Sequence, residues 1–233
     1  MKTENITYED NSVKLEATVS YSKSKAPIIL VFHAWRGKDQ FVIDKTKELA
    51  KAGYVGCALD IYGKGVIGNG KDECTKLMGP FIENRQLLQK RILSGYNMAK
   101  SLNFVDSSKI AAIGFCFGGL CALDLARSGV DVKGVVSFHG ILMGNSLPPK
   151  KISAKILALH GHDDPMVPPE DVLSFEKEMS ERNVDWQVHV YGKTMHAFTN
   201  PAANDKDFGT VYNPLAEKRS INTLYNFLEE IFS

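Results

Sequence analysis

A cysteine between glycines is the residue of this sequence best placed to do covalent chemistry. Cys116 lies in the run Gly114 to Gly119 (GFCFGG), after an apolar segment and before a helix-like one. A nucleophile at such a strand-to-helix turn is the nucleophile elbow of acyl-transfer enzymes. The helix N-terminus favours the thiolate, and the N–H of Phe117 can point at a developing oxyanion. We predict that Cys116 attacks a carbonyl; the alternative is a small buried side chain with glycines that serve helix packing.

Two later segments supply an acid and a base in the chain order that this elbow requires. The segment His160 to Pro168 follows an apolar run and contains Asp163 and Asp164, and His196 follows the predicted strand Trp186 to Val190. His196 would take the thiol proton, and a carboxylate would orient its imidazole. We choose Asp164 because the prolines that follow it stiffen the loop, with Asp163 as the alternative.

Other residues near predicted strand ends are candidates for the same site. The loop after the strand Ile28 to Phe32 is expected to supply a second oxyanion donor, and the N–H of Trp35 is the candidate. His139 ends another predicted strand and is a candidate pocket residue, with a packed or solvated histidine as the alternative. The run His160 to Asp163 (HGHD) superficially resembles a metal-ligand cluster. Nothing completes such a cluster, so we predict neither a metal nor another cofactor.

The elements that must position these groups alternate along the chain. The predicted buried strands are Ile28 to Phe32, Val55 to Leu59, Ile110 to Ile113, Val135 to Phe138 and Ile156 to Leu159. The predicted helices are Asp39 to Ala52, Asn84 to Leu102, Phe117 to Arg127, Pro168 to Arg182 and Leu215 to Phe232. This alternation indicates an α/β fold with a mostly parallel sheet, in which ligands bind beyond the carboxyl ends of the strands.

Two further segments lack this rhythm. Alternating apolar residues over Val13 to Val19 are typical of a strand with one buried face, which we place in a hairpin at an edge of the sheet. The region Tyr62 to Pro80 is rich in Gly and Lys and shows no clear periodicity. We expect a loop there that is either a lid or pocket wall, or a plain surface excursion.

Composition limits the range of functions. The chain has 233 residues, 44% hydrophobic and 24% charged, which fits one α/β domain over residues 1–233. The net charge is +1 with scattered cations, so we expect a small-molecule substrate and neither a nucleic-acid nor a membrane partner. Four irregularly spaced cysteines and the lack of a long apolar stretch favour reduced thiols and a cytoplasmic location. Either a monomer or a homodimer is compatible with the sequence.

These motifs together resemble the dienelactone hydrolase family. The segments that carry the resemblance are His33 to Gly37 (HAWRG), Leu59 to Gly63 (LDIYG), the elbow Gly114 to Gly119, Asp164 to Pro168, and Gly192 to Phe198. The resemblance implies an α/β-hydrolase core of about eight strands with helices on both faces. It also implies a triad of Cys116, His196 and Asp164, with oxyanion donors at the N–H groups of Trp35 and Phe117.

The sequence departs from the family pattern at residues around the expected pocket. Ala34 stands where members of the family have a glutamate that helps to form the thiolate, and Asn200 stands where an arginine binds a substrate carboxylate. Arg85 and Arg91 are loose candidates for another such arginine, with solvated helix residues as the alternative. Together with His139, we take Arg85 and Phe198 as candidate substrate contacts.

The function that these residues predict is hydrolysis of a small ester or lactone. The Cys116 thiolate would form a thioester acyl-enzyme that water then releases, as in a carboxymethylenebutenolidase. The alternatives are a thioester or peptide hydrolase, or an acyltransferase, with the same triad. A noncatalytic protein with a redox-reactive thiol on the same scaffold is a further alternative.

Overall fold

A mostly parallel eight-stranded sheet forms the centre of the molecule, and the computed structural model describes residues 1–233. Its strands are β1 (Lys2–Asp10), β2 (Val13–Tyr21), β3 (Ala26–Phe32), β4 (Val55–Leu59), β5 (Val105–Phe115), β6 (Gly134–Phe138), β7 (Lys155–Gly161) and β8 (Trp186–Tyr191). The spatial order is β1-β2-β4-β3-β5-β6-β7-β8, and all pairs from β4 to β8 are parallel. The predicted fold class is therefore confirmed.

Helices cover both faces of the sheet because its central strands are apolar on both sides. They are α1 (Gln40–Lys51), α2 (Gly70–Glu83), α3 (Arg85–Lys100), α4 (Phe117–Arg127), α5 (Pro169–Glu181) and α6 (Pro214–Phe232). Helices α1 and α6 bury side chains such as Leu49 and Phe227 in one core cluster. The other four bury residues such as Leu120 and Phe175 in a second cluster on the opposite face. None of the helices combines the length and the apolar character needed to cross a membrane.

The edge of the sheet differs from the prediction. Strand β2 covers the predicted segment Val13 to Val19, but β1 pairs antiparallel with it and takes the edge position. The predicted strand and its hairpin are therefore confirmed, and only the outermost position is wrong, because β1 lies outside it. The sequence of β1, KTENITYED, does not show the apolar pattern of a strand, because only Tyr8 is buried and the exposed positions are polar.

The predicted loop over Tyr62 to Pro80 is wrong in its second half, where α2 begins at Gly70. Only Cys74 and Phe81 of this helix are buried, so its apolar periodicity is too weak to reveal it. Gly70 has a positive φ of 81°, a conformation that favours glycine, and it starts the helix after an extended Asn69. A surface helix thus replaces part of the expected loop and reaches the carboxyl ends of the parallel strands.

The close approach of α1 to β4 gives a test of this packing. A Cβ atom added to Gly56 of β4 would lie 2.6 Å from the Cα and the carbonyl oxygen of Thr46 on α1. We expect Gly56→Ala to lower the free energy of unfolding by about 1–3 kcal/mol, because backbone atoms must move apart. Urea denaturation measures this, with Gly192→Ala as the control, since no atom lies within 4 Å of a Cβ there. Equal unfolding midpoints for both variants would contradict the described contact.

Candidate active site

Cys116 occupies the turn between β5 and α4. Its backbone angles, φ 55° and ψ −118°, lie in a region that side-chain-bearing residues rarely adopt. The Cys116 N–H donates to the carbonyl of Phe138 in β6 at 3.0 Å, which fixes the turn to the neighbouring strand. A side chain on Gly114 would overlap the carbonyl of Gly118, so this turn requires glycine. The elbow therefore holds the half-buried thiol at a cavity beyond the sheet edge.

The glycines after Cys116 also bring α4 close to the sheet. A Cβ on Gly118 would overlap the carbonyl of Phe32 at the end of β3, and one on Gly119 would lie 2.7 Å from Cα of Gly140. Close helix packing is the alternative reason that the sequence offers for these glycines. This packing is present in addition to the elbow. The two roles are compatible because the same close approach aims the N-terminus of α4 at the thiol.

His196 is hydrogen-bonded to Asp164 deep in the site. The His196 Nδ1 atom lies 2.7 Å from Asp164 Oδ2, and the two residues are 2% and 3% exposed. The other carboxylate oxygen of Asp164 accepts from the N–H of Met166 at 2.9 Å, which fixes the orientation of the group. Asp163, the alternative acid, is exposed and has no hydrogen bond to the imidazole. The structure therefore brings His196 together with Asp164 rather than with Asp163.

A small hairpin that the sequence did not reveal holds the loop of His196. Its strands, β9 (Asn204–Asp205) and β10 (Thr210–Val211), have two residues each, too few for a periodic pattern. The His196 N–H donates to the carbonyl of Gly209 at 3.0 Å, and the His196 carbonyl accepts from the N–H of Val211 at 3.0 Å. The backbone of His196 is therefore fixed on both sides.

The ionisation of Cys116 and that of His196 depend on each other. Burial favours the neutral thiol, but the charge of His196 and the N–H groups of Phe117 and Trp35 outweigh it and lower the pKa of Cys116. Burial also opposes the imidazolium, yet the Cys116 thiolate and the hydrogen bond to Asp164 raise the pKa of His196 to about 10. Both shifts favour a thiolate–imidazolium pair near neutral pH. The groups that lower the thiol pKa are thus one histidine and two backbone N–H groups, with Ala34 in place of a glutamate.

The loop that carries Trp35 is held by two residues that sequence reasoning did not assign a role. The His33 Nε2 atom accepts from the N–H of Ile61 at 3.2 Å, so its Nδ1 atom carries the proton and donates to the carbonyl of Ala34 at 2.6 Å. The Tyr62 hydroxyl donates to the carbonyl of Trp35 at 2.8 Å. His33 lies in the motif His33 to Gly37, and Tyr62 lies in the motif Leu59 to Gly63. Membership of these motifs was the sequence feature that could have indicated a role for the two residues.

A cavity of about 440 Å³ opens beside Cys116 and His196. Its walls are mainly apolar and include Trp35 and Phe208, whose rings stack at 5.5 Å. Helix α2 contributes Thr75 and Met78, so a helix supplies the pocket wall that was expected from a loop. The cavity is large enough for a small organic molecule.

His139 and Phe198 were both predicted to contact the substrate, and only His139 lines the cavity. His139 is buried at the cavity wall, with Nε2 2.8 Å from the Thr199 hydroxyl and its ring edge-on to His196 at 5.1 Å. Burial, reinforced by the charge of His196, lowers the pKa of His139 well below its ordinary value, so it is neutral. Phe198 is fully buried behind His139, at a ring distance of 5.1 Å, and is not a wall residue.

The two candidate arginines are neither at the cavity nor solvated. The Arg85 Nε atom donates to Asp124 of α4 at 2.8 Å, and its Nη1 atom to the carbonyl of Gly144 at 3.3 Å. Arg91 donates to Asp10 at 2.9 Å and to a backbone carbonyl. Both side chains are buried because these partners satisfy their charge. The expectation that Arg85 contacts the substrate is therefore corrected: its side chain connects α3 to α4.

The histidine run at the end of β7 does not form a cluster of metal ligands. His160 is buried and His162 is exposed, and both border a small hollow of about 180 Å³. No group of three His, Cys, Asp or Glu side chains is arranged to hold a metal ion. Burial lowers the pKa of His160, which favours a neutral ring there.

The sheet and its covering helices form an α/β-hydrolase fold, and comparison with known proteins gives the family. The model of the dienelactone hydrolase family matches residues 15–232, and the chain belongs to this family. The resemblance inferred from the motifs is therefore confirmed.

Three individual proteins are similar to this chain. The chain is 39% identical to an uncharacterized protein of Caenorhabditis elegans over 150 residues, which are 63% of this chain and 95% of that one. It is 29% identical to a putative carboxymethylenebutenolidase of Aquifex aeolicus, over 86% of this chain and 88% of the relative. Its structure is similar to that of a dienelactone hydrolase-like promiscuous phosphotriesterase from metagenomic libraries, with a TM-score of 0.94, 28% identity, and coverage of 99% and 98% of the two chains.

Selective alkylation tests the ionisation of Cys116. Burial raises the pKa of Cys57 to about 12 and also raises the pKa of Cys74 and of Cys121, whereas the pKa of Cys116 is lowered. A lowered pKa leaves the thiolate in place as the pH falls below the ordinary thiol value of about 8.5. We expect iodoacetamide at pH 6.5 to modify Cys116 alone, as measured by peptide mass spectrometry.

The companion variant His196→Gln removes the cation that supports this thiolate. Its alkylation rate at pH 6.5 should fall about tenfold or more and recover at higher pH, because the thiol then titrates closer to its ordinary range. Equal rates in the two proteins at pH 6.5 would show that His196 does not control the thiol.

Proposed function

We propose that this protein hydrolyses a small ester or lactone through Cys116, His196 and Asp164. The observation that carries the proposal is the set of groups around Cys116. The His196 imidazole is hydrogen-bonded to the buried Asp164 carboxylate, and His196 and the N–H groups of Phe117 and Trp35 lower the pKa of the Cys116 thiol. A thiolate, a proton donor and an oxyanion site are the three groups that acyl transfer through a cysteine needs. The family supports hydrolase activity, and the putative carboxymethylenebutenolidase of Aquifex aeolicus supports a lactone.

The first half of the reaction forms a thioester. The Cys116 thiolate attacks the carbonyl carbon, and the π electrons move to the carbonyl oxygen, which accepts hydrogen bonds from the N–H groups of Trp35 and Phe117. As the tetrahedral intermediate collapses, the bond to the leaving oxygen breaks and His196 Nε2 gives that oxygen its proton. His196 is then neutral, and the acyl group is bonded to sulfur.

The second half releases the acid. Neutral His196 accepts a proton from water, whose oxygen attacks the thioester carbon. The second tetrahedral intermediate expels the thiolate and leaves a carboxylic acid, which restores the thiolate–imidazolium pair. Asp164 keeps the imidazole in the required tautomer throughout, since its hydrogen bond to Nδ1 leaves Nε2 free to exchange the proton. For a lactone, the leaving alcohol stays attached to the acyl chain.

Trapping the acyl group tests the covalent step. We expect p-nitrophenyl acetate to add one acetyl group to the protein, with a mass increase on the peptide that contains Cys116. Cys116→Ala should show neither adduct nor turnover. Cys74→Ser, which changes another thiol outside the cavity, should retain turnover. Turnover without an adduct in rapid-quench samples, or turnover by Cys116→Ala, would contradict the mechanism.

The role proposed for Asp164 has a separate test. Asp164→Asn removes the charge that supports the imidazolium and leaves the wrong ring tautomer available, so kcat should fall about 100-fold or more. Asp163→Asn is the matched control, since Asp163 is exposed next to it and should leave kcat within about twofold. The proposed assignment fails if the two variants lose activity equally.

The hydroxyl of Tyr62 offers a test of the oxyanion loop. Tyr62→Phe removes the bond to the Trp35 carbonyl, so the Trp35 N–H should be held less firmly. We expect kcat to fall roughly tenfold with a smaller change in KM, because an oxyanion donor acts on the transition state. The control Tyr21→Phe loses a hydroxyl bond to Glu4 at the distant sheet edge. A change confined to KM would exclude this role.

A further inference from the structure

The charges around the cavity beside Cys116 are unequal. Asp39 is the single carboxylate among the residues that line it, and no lysine or arginine lines it. The remaining walls are mainly aromatic and aliphatic, with Trp35, Phe41 and Phe208 among them. A ligand in this cavity therefore meets one negative charge outside the Cys116–His196 pair and no positive one.

The cations near these walls have partners other than Asp39. The exposed Arg36, which follows the wall residue Trp35, donates to the carbonyl of Gly68 at 3.2 Å. Lys71 of α2 contacts Asp205 at 2.8 Å and lies over the ring of Phe208 at 4.1 Å. Lys38, next to Asp39 in sequence, contacts Glu16 at 3.4 Å. Arg85 is held by Asp124, so none of these cations is paired with Asp39.

Asp39 is fixed at the cavity by its second role as the N-cap of α1. Its Oδ1 atom accepts from the N–H of Val42 at 3.5 Å, and the residue is half-buried. The cap holds the carboxylate at the first turn of α1, beside Phe41 on the same wall. A substrate group at this wall cannot displace it without uncapping the helix.

We propose that Asp39 determines the charge of the substrate: the cavity accepts esters that are uncharged or cationic and discriminates against those that carry a carboxylate. The inference rests on the proposed ester hydrolysis and narrows its substrate class. A substrate carboxylate would lose water and face Asp39 in a partly buried site, where like charges repel more strongly than in water. A cationic group would gain from Asp39 and from the aromatic walls.

Three phenyl acetates that differ in one ring substituent test this directly: 3-tert-butyl (neutral), 3-trimethylammonio (cationic, of the same shape) and 3-carboxy (anionic). Asp39→Asn removes the charge and keeps a good N-cap residue. We expect this change to raise the anionic-to-neutral ratio of kcat/KM about fivefold and to lower the cationic-to-neutral ratio about fivefold at low salt. Comparing ratios between enzymes cancels the intrinsic reactivity of each ester.

Asp44→Asn is the matched control, because Asp44 lies on the exposed side of the same helix and outside the cavity. It should leave both ratios unchanged. Ratios that do not move in Asp39→Asn, or that move equally in Asp44→Asn, would overturn the proposal while ester hydrolysis stands.

A second measurement keeps the two proposals distinguishable if no ester is hydrolysed. Iodoacetate and iodoacetamide are close in shape and differ in charge, and both report on access to the Cys116 sulfur without turnover. Asp39→Asn should raise the ratio of the iodoacetate rate to the iodoacetamide rate about fivefold, and Asp44→Asn should not. An unchanged ratio overturns the role of Asp39, whereas a raised ratio without ester turnover overturns the hydrolysis alone.

Discussion

A thiolate that is held in a half-buried cleft needs positive charge from groups that cannot move away. Burial opposes both charged forms of the Cys116–His196 pair, whereas the charge of each partner shifts the pKa of the other toward the charged form. Asp164 and the N–H groups of Trp35 and Phe117 add to this from fixed positions. Much of the structure around the cavity can be understood as the means of keeping these five groups in place.

The sheet performs this task by bringing loops from separate parts of the chain to one edge. Cys116 follows β5, Asp164 follows β7 and His196 follows β8, and these strands run parallel in the same half of the sheet. Each loop is then held by local contacts: the elbow by its glycines and the His196 loop by the hairpin at Gly209 and Val211. One imidazole and two N–H groups therefore lower the pKa of Cys116, with Ala34 at the position where the family resemblance implies a glutamate.

The sequence predicted the groups whose chemistry and chain order are distinctive. The buried strands form continuous apolar runs, and Cys116 lies between one of them and a helix, so its position at the sheet edge follows from the topology. The contact of His196 with Asp164 agrees with the preference for Asp164, although the neighbouring Asp163 has the same chemistry. These features depend on the local pattern of apolar residues and on the direction of the strands, and both can be inferred from the sequence.

Features that depend on long-range contacts were missed. Strand β1 is polar because it lies at an edge, and α2 has only two buried residues, so neither shows a strong period. Arg85 looked like a surface or substrate residue because its partner Asp124 lies 39 positions away in the chain. Phe198 packs behind His139 rather than in the cavity. The spacing of residues along the chain does not distinguish a side chain in the cavity wall from one directly behind it.

Nitrogen NMR of the His196 imidazole measures the central claim most directly, since the chemical shifts distinguish the imidazolium from both neutral tautomers. The account predicts an imidazolium at pH 8 in the unmodified protein that titrates at about 10, and a lower pKa in Cys116→Ser, where the thiolate is absent. A neutral His196 ring at pH 8 in the unmodified protein would contradict the thiolate–imidazolium pair.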